Sequence, residues 1–432
     1  MSAAPAGSPS VVAAVAVVGG GAAGLLAGIS AARAGARTVV YERMPAPGRK
    51  LAITGGGRCN FTNTLDARAF VRRFGDTHAS RLGHALRAFS SGALRALLAK
   101  HGVEGQIEHG YRVFTRSGRA ADVVQALVAE LQEAGGTLVC GARITSVRRT
   151  GLFVLSGTFG GVEEQRRART VIVCTGGMSY PATGSTGDGY SWARALGHTV
   201  TPLRAALVGL TVEEAWPAAL QGLSWPDAQV ALWDADRNRK PLGEERGEIL
   251  FTHFGISGPA ILDLSNVLVA SGLRRAALSI DFCPGLERDE LDAQVLARCR
   301  QFAGRTLARA LEGFQQLPAR LLGHLQESLG AAAAQPVCRL PKEARSKLLD
   351  LLKRTTLTVT GTRGVEHGEV TAGGVAWDKV DPATLESRLC PGLFFAGEIL
   401  DVAGRCGGFN LQAAFSTGFL AGRSAARRAG GT

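Results

Sequence analysis

The feature that most constrains the fold is the sequence GGGAAG at residues 19–24, which matches the pattern G-x-G-x-x-G. The β-branched run 11–18 before it is typical of a buried parallel strand, and the small residues after it predict a helix to about residue 34. A strand, a glycine-rich turn and a helix in this order predict the first half of a dinucleotide-binding unit.

Five of the six residues of this motif have a defined task in such a unit. Gly19 permits the tight turn, Gly21 lets the backbone approach a pyrophosphate, and Gly24 lets the helix pack closely on the strand. Ala22 and Ala23 open the helix, where free N–H groups face the phosphates. All five residues are therefore predicted to bind a cofactor.

The next predicted strand, residues 37–41, leads directly into Glu42. Glu42 lies 23 residues after Gly19, where an acidic residue accepts hydrogen bonds from the hydroxyl groups of a bound ribose. Because a carboxylate repels a 2′-phosphate, NADP is not expected at this site. The order of strand, motif, helix, strand and acid thus predicts a dinucleotide site with Glu42 as a ligand.

The segments 48–51 and 55–63 are rich in glycines, cations and amides, and we interpret them as a loop that closes over the dinucleotide. Three glycines at 55–57 can present successive N–H groups to an anion. An ordinary surface loop with turn residues is the alternative interpretation. The residues predicted to contact the cofactor here are Arg49, Lys50, Gly57, Arg58 and Asn60.

The middle of the chain contains a second segment that is expected to approach the cofactor. The elements predicted there are a helix at 120–134 and strands at 137–145, 151–156 and 170–174. A glycine-rich turn follows the last of these strands, and its residues Thr175 and Gly176 are predicted to bind the cofactor.

The C-terminal part of the chain indicates that the expected cofactor is FAD and not NAD. A strand at 393–396 ends in Gly397 and Glu398, and residues 407–412 lead into a predicted helix at 413–421. In two-dinucleotide-binding FAD enzymes such an acid contacts the ribitol or pyrophosphate, and the helix N-terminus stabilises the anionic reduced flavin. We therefore predict FAD, with these further ligands: Gly397, Glu398, Gly408, Phe409, Asn410 and Leu411.

Between the cofactor-binding segments in the two ends of the chain, the pattern of apolar residues changes. Short strands are predicted at 207–212, 229–233 and 276–282, and apolar residues recur at helical spacing from about residue 286 to residue 353. His253 stands between aromatic residues and before a flexible turn, which makes it the candidate acid–base catalyst. A buried structural histidine is the alternative interpretation.

These changes of pattern predict four segments. Residues 1–200 form the first part of the cofactor domain, 201–285 a strand-rich domain and 286–354 a helical insert. Residues 355–432 complete the cofactor domain, after a short return to the strand-rich domain at 355–365.

Charge and cysteine content exclude several classes of function. The net charge is +13, but 42 of the 49 basic residues are Arg, dispersed without a basic run, so no nucleic-acid partner is predicted. The eight cysteines form no C-x-x-C pair, so neither a metal site nor a dithiol centre is predicted. Glycines interrupt the apolar stretch 11–32, so we expect a cytoplasmic protein with no membrane span.

Taken together, the motifs make the chain resemble the family of flavoproteins that includes aminoacetone oxidase and the bile-acid-inducible flavin reductase. The resemblance covers nearly the whole chain and rests on the segments 19–24, 48–63, 176–189, 251–259, 370–375 and 397–412. It implies an α/β fold: a discontinuous Rossmann-like FAD-binding domain with an inserted β-barrel-like domain and a nested helical domain. Phe409 stands where many members have Tyr, so no phenol chemistry is assigned to it.

The expected reaction is hydride transfer at flavin N5, with a small molecule that contains an activated, enone-type C=C bond as the substrate. Because no second strong G-x-G-x-x-G motif is found, NAD(P)H is expected only as a transient electron donor. An oxidase that passes electrons from a small amine to O₂ is one alternative. A flavoprotein that acts on or binds tRNA is another, and FAD binding without turnover is a third. The oligomeric state is not predicted.

Overall fold

A computed structural model describes residues 12–235 and 240–430 of the chain. Contacts between Cα atoms divide the chain into two compact units. Unit 1 comprises Met1–Ala205 and Val365–Thr432, and unit 2 comprises Ala206–Gly364. Unit 1 is therefore built from both ends of the chain, and unit 2 is inserted into it. The predicted status of 286–354 as a domain of its own stays a prediction.

The strands of the described residues are short, apart from six that have eight or more residues. In chain order they are β1 (Val12–Val18), β2 (Thr38–Glu42), β3 (Asn60–Asn63), β4 (Gly105–Glu108), β5 (Arg112–Thr115), β6 (Thr137–Cys140), β7 (Ala142–Thr150), β8 (Leu152–Phe159), β9 (Val162–Val173), β10 (Arg204–Ala206), β11 (Leu210–Val212), β12 (Ser224–Asp234), β13 (Gly243–Thr252), β14 (Gly255–Ser257), β15 (Ala276–Asp281), β16 (Thr355–Thr362), β17 (Val370–Ala372) and β18 (Leu393–Phe395).

The α-helices of the described residues fall into an N-terminal group, a group inside unit 2 and one long C-terminal helix. They are α1 (Ala22–Arg33), α2 (Arg49–Ile53), α3 (Ala67–Arg72), α4 (Asp76–Ala88), α5 (Ser91–Lys100), α6 (Ala120–Glu133), α7 (Asp188–Ala195), α8 (Trp216–Ala219), α9 (Pro259–Ser271), α10 (Arg288–Gln301), α11 (Leu307–Leu311), α12 (Ala319–Leu329), α13 (Ala331–Ala334), α14 (Lys342–Arg354) and α15 (Phe409–Arg428). No helix within the described ranges is both long and apolar enough to cross a bilayer.

A mixed sheet forms the centre of unit 1. β6, β2, β1, β9 and β18 lie side by side and run parallel, and β7, β8 and β9 form an antiparallel meander at one end. β9 belongs to both parts, because residues 162–168 pair with β8 and residues 171–173 pair with β18. The chain thus completes the sheet only when it returns near its C-terminus. This confirms the predicted discontinuous Rossmann-like domain.

The parallel strands bring the predicted ligands to one edge of the sheet. β1 ends immediately before Gly19, β2 ends at Glu42, β9 ends two residues before Thr175 and β18 ends two residues before Gly397. In open α/β sheets, ligands bind outside the carboxyl ends of the strands. Residues that are far apart in the sequence therefore meet where such folds bind dinucleotides.

The first and last helices of unit 1 approach each other backbone to backbone. A Cβ atom at Gly418 would lie 2.1 Å from the carbonyl oxygen of Ala23, and one at Gly422 would lie 2.2 Å from that of Ala27. Only glycine fits at such distances, so two glycines four residues apart on α15 allow it to lie directly on α1. This contact joins the N-terminal and C-terminal segments of the unit.

A buried carboxylate links α6 to the ends of α1 and α5. The side chain of Glu130 is 3% exposed and binds Arg33, Lys100 and His101, with Oε2 2.8 Å from Lys100 Nζ and 2.6 Å from His101 Nε2. Burial by itself would raise the pKa of Glu130, but the hydrogen bonds from Lys100, His101 and Arg33 outweigh it and lower this pKa to about 2. The carboxylate is therefore held in its charged form.

Unit 2 is a closed antiparallel barrel with helices nested in its sequence. The strand order around the barrel is β11-β14-β13-β12-β15-β16. The helical segment α10–α14 lies in the sequence between β15 and β16, and its apolar residues share one hydrophobic core with the barrel strands. The predicted fold class, with an inserted barrel and nested helices, is confirmed.

Two predicted elements were wrong in detail. The strand predicted at 137–145 is two strands, because Gly141 adopts a left-handed conformation (φ +69°) between β6, which pairs with β2, and β7, which pairs with β8. The segments 48–51 and 55–63 are not one loop. They contain α2 and also β3, which pairs with the four-residue strand β5. Val11, the first residue of the run predicted as β1, lies outside the described residues.

One helix, α9, was missed for a physical reason. α9 begins with Pro259 after Gly258 and is apolar on nearly all sides, so its sequence shows no helical periodicity. Residues 67–100, which form α3, α4 and α5, received no prediction.

The contact between α1 and α15 predicts opposite effects for two Gly→Ala substitutions. Gly422→Ala should lower the free energy of unfolding by about 1–3 kcal/mol, because its methyl group would collide with a backbone carbonyl. Gly323→Ala in α12, where no described atom lies within 4 Å of the added Cβ, should raise it by about 0.4–1 kcal/mol. Urea unfolding measures both. Equal effects of the two substitutions would contradict the close approach of the helices.

The network at Glu130 predicts a pH-dependent stability. Because the pKa of Glu130 is lowered in the folded state, its contribution of about 3 kcal/mol is complete above the unfolded pKa of about 4.5 and is lost as the pH falls through about 2. Glu130→Gln should destabilise the protein at pH 7 by about 3 kcal/mol and should flatten the acid limb of the stability curve.

The matched control for this prediction is Glu133→Gln. Glu133 also contacts Lys100, at 2.6 Å, but its side chain is 54% exposed. Its removal should change the unfolding free energy at pH 7 by less than about 1 kcal/mol. If both variants lost the same stability in urea unfolding at pH 7 and pH 3, the buried carboxylate would not have the assigned role.

Candidate functional site

The turn between β1 and α1 has the geometry that the glycine motif requires. Gly19 has a φ of +106°, and a Cβ atom there would lie 2.3 Å from the carbonyl oxygen of Cys174. A Cβ atom at Gly24 would lie 1.7 Å from the carbonyl oxygen of Gly19. At Gly21, by contrast, no described atom lies within 4 Å of an added Cβ. Gly19 and Gly24 are therefore needed for packing, and Gly21 borders open space.

Glu42 lies beside this turn and is almost completely buried. Its Oε2 accepts a hydrogen bond from the N–H of Gly20 (2.7 Å), and its Oε1 accepts one from the N–H of Met44 (2.8 Å). Burial raises the pKa of the Glu42 carboxyl, although these backbone hydrogen bonds counteract the effect. A carboxylate offers about four lone-pair positions, so Glu42 can also accept hydrogen bonds from ribose hydroxyls.

The glycine-rich segment 175–189, which follows β9, is tied to the end of β2. Arg43 donates hydrogen bonds to Asp188 Oδ2 (2.9 Å) and to Thr186 Oγ1 (2.6 Å). The hydroxyl oxygen of Thr175 is buried in this region and has no hydrogen-bond partner among the described residues. Since buried hydroxyl groups are nearly always satisfied, Thr175 indicates a polar group that completes the site.

A partly buried ion pair connects three segments at the same edge. Lys50 Nζ lies 2.8 Å from Glu398 Oε2 and donates to Ser179 Oγ at 2.6 Å. Glu398 Oε1 accepts hydrogen bonds from the Thr371 N–H at 2.8 Å and from Ser179 Oγ at 3.1 Å. The structure therefore brings the predicted residues Lys50 and Glu398 together.

The N-terminus of α15 is fixed by β3. A Cβ atom at Gly408 would lie 2.4 Å from the carbonyl oxygen of Thr62, and the hydroxyl group of Thr62 donates to Gln412 at 2.7 Å. With its amide oriented to satisfy both groups, Asn60 accepts from the Gly408 N–H at 3.1 Å and donates to the Thr62 carbonyl at 3.0 Å. The predicted residues Asn60 and Gly408 are thus in direct contact.

The side chains at the start of α15 point into the protein structure. Phe409 is buried against Phe70, with ring centroids 4.9 Å apart, and the Asn410 side chain bonds both the N–H and the carbonyl of Gly404. The first N–H groups of a helix have no partner within the helix, and here they belong to Phe409, Asn410 and Leu411. The cofactor role predicted for these three residues therefore rests on their backbone.

Two predicted cations are less closely tied to this edge. Arg49 is exposed at the start of α2. Arg58 pairs with Glu108, and its guanidinium carbon lies 4.4 Å from the centroid of the Phe114 ring. An arginine that is engaged in this way holds the loop 54–57 against β5. Direct contact of Arg49 or Arg58 with a cofactor stays a prediction.

The predicted acid–base catalyst lies outside unit 1, and the cysteine next to the 55–57 glycines is a packing residue. His253 belongs to unit 2, where it is exposed in the turn between β13 and β14, 5.1 Å from the ring of Phe254. It is therefore not the buried histidine of the alternative interpretation, and its catalytic role stays a prediction. Cys59 is buried, and burial raises the pKa of its thiol to about 11, so it is a packing residue and not a thiolate.

The sequence alone did not identify the residues that hold the predicted cofactor-binding segments in place. Ser179 and Thr371 hold Glu398, and Arg43 and Asp188 hold the glycine-rich segment 175–189. Ser179 and Thr371 both lie in segments that carry the family resemblance, but Ser179 is 192 residues from Thr371 and 219 residues from Glu398. Only the folded sheet brings such pairs together.

Comparison with known proteins places the chain in a family. Residues 13–424 match the family described as the HI0933-like protein Rossmann domain. The 3-dehydro-bile acid delta(4,6)-reductase of Clostridium scindens is 34% identical over 96% of this chain and 99% of its own. The ribosomal RNA dihydrouridine synthase of Escherichia coli is 32% identical over 93% of this chain and 95% of its own.

A solved structure supports the fold. The 3-ketosteroid delta1-dehydrogenase of Sterolibacterium denitrificans matches with a TM-score of 0.52, covering 96% of this chain and 99% of that protein. Its sequence identity is 13%, so the likeness concerns the fold alone. The family match and the full-length relatives lead to one conclusion: the chain belongs to the HI0933-like Rossmann family and is an FAD-dependent oxidoreductase.

Proposed function

We propose that this protein reduces a C=C bond that is conjugated with a carbonyl group. The observation that carries the proposal is the meeting of the glycine motif, Glu42 and the N-terminus of α15 at one edge of a sheet, in a chain with these relatives. The names of both relatives describe such a reduction: a 3-oxo steroid with conjugated double bonds in one case, the uracil ring in the other.

The residues at this edge fit FAD. The open space beside Gly21 and the free N–H groups at the start of α1 suit a pyrophosphate, and Glu42 suits the adenosine ribose. The hydroxyl group of Thr175, which has no partner in the described part of the chain, needs a polar group of the kind that a dinucleotide supplies. When bound, FAD supplies a flavin N5 atom that accepts and donates hydride.

The N-terminus of α15 would stabilise the negative charge of a reduced flavin. A helix N-terminus carries a partial positive charge of about half an elementary charge. Gly408, held between Thr62 and Asn60, fixes the direction of this charge before any ligand binds. A charge that is positioned in advance costs no reorganisation during the reaction.

The ion pair of Lys50 and Glu398 would orient the middle of the cofactor, between the adenosine and the flavin ring. Glu398 is held by Thr371 and Ser179, so its carboxylate cannot turn freely, and it positions the ammonium group of Lys50. We assign to this pair the binding of the ribitol or pyrophosphate. NAD(P)H is the proposed external donor of the hydride, which carries both electrons, and water or a side chain supplies the second hydrogen as a proton.

Uracil in RNA is the second candidate substrate. Two relatives, from E. coli and from Haemophilus influenzae, are named ribosomal RNA dihydrouridine synthases and match nearly the full chain at 32% and 30% identity. The net charge of +13 also favours binding to a polyanion. The sequence-based expectation of a small-molecule substrate without nucleic acid therefore stays a prediction, as does the amine oxidase alternative.

The assignment of Glu42 predicts a loss of cofactor in one variant. Glu42→Ala should weaken FAD binding by about tenfold or more, because the ribose would lose a charge-assisted acceptor. FAD titration of the apoprotein, followed by quenching of flavin fluorescence, measures the affinity. The matched control is Glu163→Ala on the exposed start of β9, which should bind FAD as the wild type does. Equal affinities in both variants would remove Glu42 from the site.

The proposed reaction is tested in two steps with the holoenzyme. Anaerobic titration with NADH and then NADPH should bleach the flavin absorbance with at least one donor. The reduced enzyme is then mixed with a 3-oxo-4-ene steroid or with uridine-containing ribosomal RNA, and one of the two should restore the absorbance. Mass spectrometry should find a product that has gained two hydrogen atoms. Reoxidation by O₂ alone would contradict the proposal and favour the oxidase.

A further inference from the structure

Tyr111 differs from most tyrosines of the chain in its exposure. The chain has four tyrosines: Tyr41 and Tyr190 are buried, Tyr180 is 38% exposed and Tyr111 is 60% exposed. Among the described residues, no side chain accepts a hydrogen bond from the hydroxyl group of Tyr111, and no aromatic ring contacts its ring. Its ring therefore contributes little to the packing of the protein.

The backbone of Tyr111 is nevertheless held in an unfavourable conformation. Tyr111 has a φ of +62° and follows Gly110, which has a φ of +75°. Bulky residues rarely adopt this left-handed region, where glycine or asparagine is favoured. Such conformations persist only when the surroundings impose them, and they cluster at functional sites.

Three hydrogen bonds impose the conformation. The N–H of Thr64 donates to the Tyr111 carbonyl at 2.9 Å, Asn63 Nδ2 donates to the Gly110 carbonyl at 3.1 Å, and Arg112 Nε donates to the His109 carbonyl at 2.9 Å. They fix the backbone on both sides of the tyrosine. The ring is thus presented to solvent from a rigid support.

The same support reaches the candidate cofactor site. Asn63 Nδ2 also donates to the Gly407 carbonyl at 3.1 Å, so one amide group joins the Tyr111 turn to the glycine pair that precedes α15. The carbonyl oxygens of Gly110 and Gly407 therefore lie no more than about 6 Å apart, the length of two hydrogen bonds. The start of α15 is where we place the flavin.

We propose that Tyr111 contacts the substrate by stacking on its planar conjugated ring. The inference rests on the proposed function, since a C=C bond conjugated with a carbonyl group makes the substrate flat at the reacting carbons. A flat group that reacts at the flavin has a second face, which an aromatic side chain can cover. A uracil ring and a steroid enone present this same chemistry, and the test separates them.

The strained backbone makes a sharp test possible. Tyr111→Gly removes the ring and relieves the strain, so the melting temperature should stay the same or rise. Tyr111→Asn serves the same purpose if the glycine variant folds poorly, because asparagine tolerates the left-handed region. Tyr111→Phe keeps the ring. Val162→Ala removes another exposed apolar side chain, which is 57% exposed at the opposite end of β9 from the site edge.

The measured quantity is the dissociation constant of two probes, read from the change in flavin absorbance of the oxidised holoenzyme. The probes are 1,4-androstadiene-3,17-dione and a uridine-rich oligoribonucleotide. Loss of stacking in Tyr111→Gly should raise the dissociation constant of one probe by about fivefold or more, since base–aromatic stacking has this strength. Tyr111→Phe and Val162→Ala should bind that probe as the wild type does.

The outcomes separate this inference from the proposed function. A glycine variant that binds both probes as tightly as the wild type would overturn the role of Tyr111, and so would a wild type that binds neither probe. If the glycine variant loses binding but the reduced wild type reduces no C=C bond, the role of Tyr111 stands and the proposed reaction fails. The probe that binds identifies the substrate class.

Discussion

The approach of α15 to α1 is the contact on which the candidate site depends. The glycine motif opens α1, and the glycine pair 407–408 opens α15, so the two helices carry the two halves of the candidate site at their N-termini. Gly418 and Gly422 allow α15 to lie against the carbonyl groups of α1 without an intervening side chain. Segments separated by about 160 residues of unit 2 thus meet at the candidate site in unit 1.

The polar residues of the site follow from this arrangement. Parallel strands deliver Glu42, Thr175 and Glu398 to the same edge, and each belongs to a segment that lies far from the others in the sequence. Buried carboxylates require donors, and the backbone N–H groups of Gly20 and Met44 meet this need at Glu42. At Glu398, the donors are Lys50, Ser179 and the Thr371 backbone. The site is therefore largely preformed.

The sequence was sufficient to predict an element of the structure wherever the physical requirement for that element is local. The GGGAAG turn, the strand that ends in Glu42 and the inserted strand-rich segment each follow from steric or periodic rules that act over a few residues. The same rules failed where a single glycine decides the direction of the chain, as at Gly141, or where a helix is apolar all round, as in α9. Pairs such as Ser179 and Glu398 could not be predicted, because nothing local in the sequence links residues so far apart.

The most direct test of this account is the crystal structure of the protein with bound FAD. The account predicts that the ribose hydroxyls of the adenosine lie within hydrogen-bond distance of the Glu42 carboxylate, and that the pyrophosphate lies beside Gly21. It also predicts that the pyrimidine edge of the flavin faces the N-terminus of α15. A cofactor that leaves Glu42 without contact, or a flavin placed away from Gly408, would contradict the account.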